Sequence, residues 1–134
     1  MRPLRSCRGQ NLVEVALVLP IMVLVTLGIV DFGFIYFVRG SVDNAAREGA
    51  RYASIHPTDT TGITNRITRT VMGIDTTAGH GFNVDVSYPD GDSNPTSRVR
   101  VTVTYPLTTF WPVPLSSTYV TAATMRIETH EEPG

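Results

Sequence analysis

The chain has 134 residues and a formal net charge of −1, which suits one modest domain with an anchor and excludes a strongly basic nucleic-acid-binding face. All eleven basic residues are arginines, and Cys7 is the single cysteine, so there is no internal disulfide and no thiolate metal cage. The charge is unevenly placed: Arg2, Arg5 and Arg8 stand before the first acid, whereas residues 39–134 carry eight Arg against ten Asp and Glu.

Residues 1–9 read as a basic leader. From Val15 to Val38 the only charge is Asp31. As a helix these residues reach roughly 36 Å, enough to cross a hydrocarbon core of about 30 Å. A buried core helix is the first alternative, but so short a chain would struggle to wrap an all-apolar helix on every side. A cleaved secretory signal is the second. Its apolar run is shorter and ends in small residues, where this chain has Phe34-Ile-Tyr-Phe-Val38. The reading is an uncleaved transmembrane helix over 10–39, with a domain over 40–134. The three leader arginines place the N-terminus in the cytoplasm, with Cys7 beside it, and the domain outside. Pro20 inside the span removes a backbone hydrogen bond and crowds the carbonyl of Ala16. It is read as a kink, or as a weak point where the helix stretches as a subunit leaves the bilayer. Asp31 falls about 25 Å along the axis from Glu14, near the outer interface, where it meets headgroups or a partner subunit. Phe32, Phe34, Tyr36 and Phe37 form an aromatic belt there, with Arg39 in water.

Residues 40–56 are expected to continue the helix. Ala46, Ala50 and Ala53 recur at helical spacing, as do Val42, Ala45 and Gly49, and this small-residue stripe is expected to pack on the protein's own sheet. His56-Pro57 ends the run. A short helix follows over 60–73, capped by Asp59 or Thr60 and stopped at Gly73. Alternation predicts three strands: Phe82, Val84, Val86 and Tyr88; Val99, Val101, Val103 and Tyr105; and, more weakly, Ala123, Met125 and Ile127. Pro106 to Ser117, with Trp111-Pro-Val-Pro114, reads as an apolar loop. The fold class is therefore α+β: a long N-terminal transmembrane helix extending into a small domain with a short helix and a three-stranded antiparallel sheet.

Glu14 stands at the head of the apolar run, five positions after Gly9. A carboxylate at the edge of hydrocarbon is costly unless paired. A place near the helix's first turn, where the macrodipole favours it, would account for Glu14 alone, but not for the basic leader, the glycine and the glutamate together. Arg8-Gly9-Gln10-Asn11-Leu12-Val13-Glu14 resembles the processing site of type IV prepilins. The longer set, adding Gly28-Ile-Val-Asp-Phe-Gly33 and Asn44-Ala-Ala-Arg-Glu-Gly-Ala-Arg51, resembles the TadE-like family of minor pseudopilins of the Tad, or Flp, pilus system. The resemblance covers residues 8–53. It implies cleavage between Gly9 and Gln10 by a prepilin peptidase, and a pilin-like domain. It also makes Glu14 the mature-position glutamate that pairs with a neighbouring subunit's N-terminal ammonium. Val15 stands where processed Flp-type subunits usually carry an aromatic. The implied partners are the membrane, Tad/Flp pilin, other minor pseudopilins, inner-membrane platform proteins and the peptidase. The implied place is the bacterial inner membrane.

No catalytic constellation is legible. His56, His80 and His130 are scattered, and no phosphate-binding glycine loop is present. Asp90-Gly-Asp92-Ser-Asn94 alternates oxygen ligands as a calcium loop does, but Pro95 and Val101 stand where such a loop needs glycine and glutamate. It reads as an ordinary turn. The expectation is a non-enzyme without cofactor or metal, assembling through Glu14, Pro20 and Asp31. The competing reading is an uncleaved, membrane-anchored binding module using the Trp111 loop.

Overall fold

One helix organises the structure, a computed structural model that describes residues 8–77, 80–91, 93–94, 96–108 and 116–128. Helix α1 (Arg8–Ile55) runs for 48 residues and passes through Pro20 without interruption. Its lower part, Leu12 to Phe37, is apolar but for Glu14, Thr26 and Asp31, and exposed but for half-buried Gly28, Asp31 and Ile35. It is long and apolar enough to cross a membrane, and its most apolar stretch is not covered by the rest of the protein. From Val38 upward one face is buried: Val38, Val42, Ala45, Ala46, Ala50 and Ala53 are all at most 1% exposed.

That face meets helix α2 (Thr60–Thr70) and a sheet of β1 (Asn83–Ser87), β2 (Arg98–Thr108) and β3 (Ser116–Arg126), in the order β1-β2-β3 with both pairs antiparallel. The fold is α+β with a membrane-like N-terminal helix. Gly49 marks the closest approach. A Cβ there would lie 2.5 Å from Ile67 Cγ1 of α2 and 3.6 Å from Val101 Cγ1 of β2. The small-residue stripe is what lets one helix face seat both layers.

Helix α2 starts where the sequence places a cap. Asp59 accepts from the Gly62 amide at 2.8 Å and from the Tyr52 hydroxyl at 2.9 Å. These two donors, the amide first, hold the Asp59 carboxyl below the usual carboxylate range. The helix ends at Thr70, three residues short of Gly73, because Val71 is already extended. Ile63 and Ile67 are its buried residues.

Strand β2 buries Val99, Val101, Val103 and Leu107 and turns its alternate residues outward. It continues through Pro106, which pairs with Thr118. This shortens the expected Pro106–Ser117 loop at both ends. Strand β1 faces β2 only from Arg100 to Thr104, so Pro106 lies where β2 has a strand on one side alone, a position that tolerates the missing N–H. Strand β3 likewise begins at Ser116, before the expected stretch, and Tyr105 and Tyr119 stand opposite each other. The Trp111-Pro-Val-Pro114 segment and Cys7 lie outside the described residues.

Gly49→Val is expected to destabilise the domain by about 1–3 kcal/mol, since added carbon in a filled core must displace buried Ile67. Thermal unfolding of the detergent-solubilised chain, followed by near-ultraviolet circular dichroism, checks this.

Candidate functional site

The residues singled out by sequence are all on α1 but are not gathered into one place. Gly9 and Gln10 lie in its first turn, and Gly9 is exposed. Glu14 is exposed on the second turn, beyond the reach of the strongest end effect of the helix in this chain. In a chain beginning at Gln10 it would be the fifth residue, next to the free helix end. Glu14, Val18, Met22 and Thr26 follow one another at four-residue steps, with Val15, Leu19, Val23 and Leu27 beside them, on the exposed surface of the helix. The Thr26 hydroxyl is spent inside the helix, donating to the Met22 carbonyl at 2.8 Å.

Pro20 and Asp31 sit elsewhere. At about 100° per residue, Asp31 is roughly 100° around the axis from Glu14 and about 25 Å along it. It shares its face with Val38 and Val42, which the domain covers, and is half-buried. The geometry therefore offers an apolar face headed by a carboxylate near the N-terminus and a second carboxylate at the foot of the domain.

Above the apolar stretch, polar contacts clamp the rims of the packed elements. Glu48 Oε1 accepts from Arg66 Nη2 at 2.6 Å and from Arg66 Nε at 3.0 Å, tying α1 to α2. Tyr119 donates to Asp43 at 3.0 Å, and the Arg39 guanidinium carbon lies 5.2 Å from the Tyr119 ring centre, tying α1 to β3. Burial first, then Asp43, raises the Tyr119 pKa. Sequence reasoning missed both clamps. Their signals were the polar residues flanking the alanine stripe, Asp43 and Glu48, which had no assigned partners.

The Asp90 turn is closed by the Gly91 amide donating to the Tyr88 carbonyl at 3.0 Å, with Gly91 at φ +88°. Both Asp90 carboxylate oxygens are taken by Arg98, through Nη2 at 2.7 Å and through Nε at 3.1 Å and the amide at 2.8 Å. Asp92 lies outside the described residues. Among the described residues no group of three or more His, Cys, Asp or Glu could hold a metal ion.

Comparison with known proteins supplies the decisive observation. Residues 9–51 match the sequence model of the family described as TadE-like protein. Over that segment, about a third of the chain, the sequence is similar to that family. The match covers α1 from Gly9 to Arg51, its apolar stretch and most of its small-residue face, and leaves α2 and the sheet outside it. It implies, in general terms, a role in Tad pilus assembly. No match was found among curated proteins or solved structures.

Side-chain and amide donors from Arg98 hold Asp90 at a pKa of about 2, and hydrogen bonds from Thr77 and then His80 hold Asp75 at about 2. Both values lie below the unfolded carboxylate's ~3.9, so their stabilisation is present above that value and is lost as pH falls through about 2. The unfolding midpoint is expected to be insensitive to these groups from neutral pH down to the unfolded value and to fall below it. Asp75→Asn and Asp90→Asn should each flatten part of that acid limb in a pH series of thermal melts.

Proposed function

We propose that this chain is a non-enzymatic, membrane-anchored minor pseudopilin of a Tad/Flp pilus or the related secretion platform, working by helix packing and subunit assembly. The observation that carries the proposal is the TadE-like match over an exposed apolar helix with Glu14 five residues after Gly9. A bare apolar helix in the bilayer gains little from its neighbours by hydrophobicity alone, so register must come from packing and polar pairing. Glu14 heads this exposed apolar surface and would pair with the N-terminal ammonium of a neighbouring subunit that begins at Gln10. Opposite charges at the edge of hydrocarbon offset each other's desolvation only in close contact, so the pair would fix one stagger between helices. The arginine-rich leader supports insertion in the inner membrane with the N-terminus in the cytoplasm. The pilin, other minor pseudopilins and platform proteins are then the partners.

Processing by a prepilin peptidase between Gly9 and Gln10 requires only the first turn of α1 to open, and helix ends fray. The helical state of this bond, together with Val15 after Glu14, favours a second reading: an uncleaved single-pass anchor carrying a binding domain.

Intact mass and N-terminal sequencing of the membrane-extracted chain, from strains with and without the peptidase, decide between them. The expected result is a chain beginning at Gln10 only where the peptidase is present; an unprocessed chain in both would leave the anchor reading. Glu14→Ala is expected to lower incorporation into the assembly on the order of tenfold or more, since removing one partner strands a buried charge. The domain's melting midpoint should not move. Normal assembly in that variant, measured by immunoblot of sheared filaments, would remove the mechanism.

A further inference from the structure

A turn of the domain lies against the aromatic part of α1, beside its exposed apolar stretch. The covering of α1 begins at its foot with the turn after α2. There the Met72 amide donates to Ser41 Oγ at 2.7 Å. Gly73, at φ +78°, lies against the aromatic belt: a Cβ on it would fall 2.8 Å from Phe37 Cε1 and 4.0 Å from Phe34 Cε2. A side chain there would be strained by the positive φ and would have to displace the Phe37 ring, so glycine lets the turn lie close to the helix. Val71 and Ile74, on either side, are half-buried and pack against the core.

The level of this turn relative to the bilayer follows from length. With Glu14 at one edge of the hydrocarbon, a core of about 30 Å takes up roughly 20 residues at 1.5 Å each, which puts the other edge near Phe34. That is the level at which Gly73 meets the helix. Beside it Met72 is 65% exposed, the most exposed large apolar side chain outside α1 among the described residues. Arg69 and Asp75, both exposed, flank the turn with charge.

We propose that the Val71–Ile74 turn is a lipid-docking contact: Met72 enters the interfacial layer beside Phe34 and Phe37 and seats the domain on the membrane surface. Lipid is the occupant because the patch is continuous with the apolar band of α1 and extends beyond it by one side chain. Such a width is far below what a specific protein interface needs, whereas fluid lipid requires no matching shape. Methionine's flexible, polarizable chain suits a disordered partner. The proposal rests on α1 spanning the bilayer, and the experiment separates the two.

The test uses the full chain carrying Cys7→Ser, reconstituted alone in phospholipid nanodiscs and labelled with an environment-sensitive fluorophore at one of three sites: Val23→Cys, Met72→Cys or Thr61→Cys. The expected result is blue-shifted emission and quenching by brominated lipids at 23 and 72, with quenching by aqueous iodide at 61. A label at 72 that behaves like the one at 61, while 23 is lipid-quenched, overturns the docking contact and leaves the span intact. A label at 72 shielded from iodide only in native membranes, and not in the lipid-only discs, overturns lipid as the occupant in favour of protein. A label at 23 open to iodide removes the span and the contact together.

Discussion

Everything in the domain depends on how closely α1 is approached along one face. At Gly49 there is no room for a Cβ between the helix backbone and Ile67, and Val101 closes the same gap from the sheet. Alanines at 45, 46, 50 and 53 extend that low surface over more than two turns. A helix carrying leucines there would push α2 and the sheet apart, and a domain this small has no other interior to fall back on. The same helix is bulky below and small above. Its lower residues are free to meet lipid or other helices, and its upper residues are shaped for a single set of neighbours.

The polar contacts play a different part. Interior packing is apolar, and among the described residues no buried side-chain nitrogen or oxygen lacks a partner. The Glu48–Arg66 and Asp90–Arg98 pairs are exposed, where an ion pair contributes little to stability. Their value is directional. Glu48 sets α2 against α1, and Asp43 with Arg39 sets the first half of β3 against the upper half of the helix.

The helix and the sheet were legible to different degrees for physical reasons. The long apolar helix declared itself by its unbroken run of apolar residues, and the small-residue stripe declared its face by its period. Val99, Val101 and Val103 alternated cleanly because one side of β2 is core and the other is water. The first half of β3 was hidden, since Ser116 to Ala122 is mostly serine, threonine and alanine, and its place comes from pairing with β2. Pro106 hid the end of β2 because proline ordinarily marks a break, and it is acceptable because the β1 ladder has already ended at Thr104. The residues proposed for assembly stood out as a motif through Gly9 and Glu14. Their arrangement on different faces of one helix follows from helical period. The role of Met72 was not legible, because it depends on the turn meeting Phe34 and Phe37 across more than thirty residues of sequence.

The unbroken course of α1 has a mechanical meaning. At about 1.5 Å per residue its 48 residues form a rod of roughly 72 Å with no loop between the apolar stretch and the domain. Between Pro20 and Val38 the helix has no loop in which a rotation or tilt could be absorbed before it reaches the domain. The one interior position that must lack a backbone hydrogen bond is Pro20, well below the domain. Compliance is thus concentrated within the apolar half, and the junction at Val38, gripped by the core, behaves as a rigid coupling.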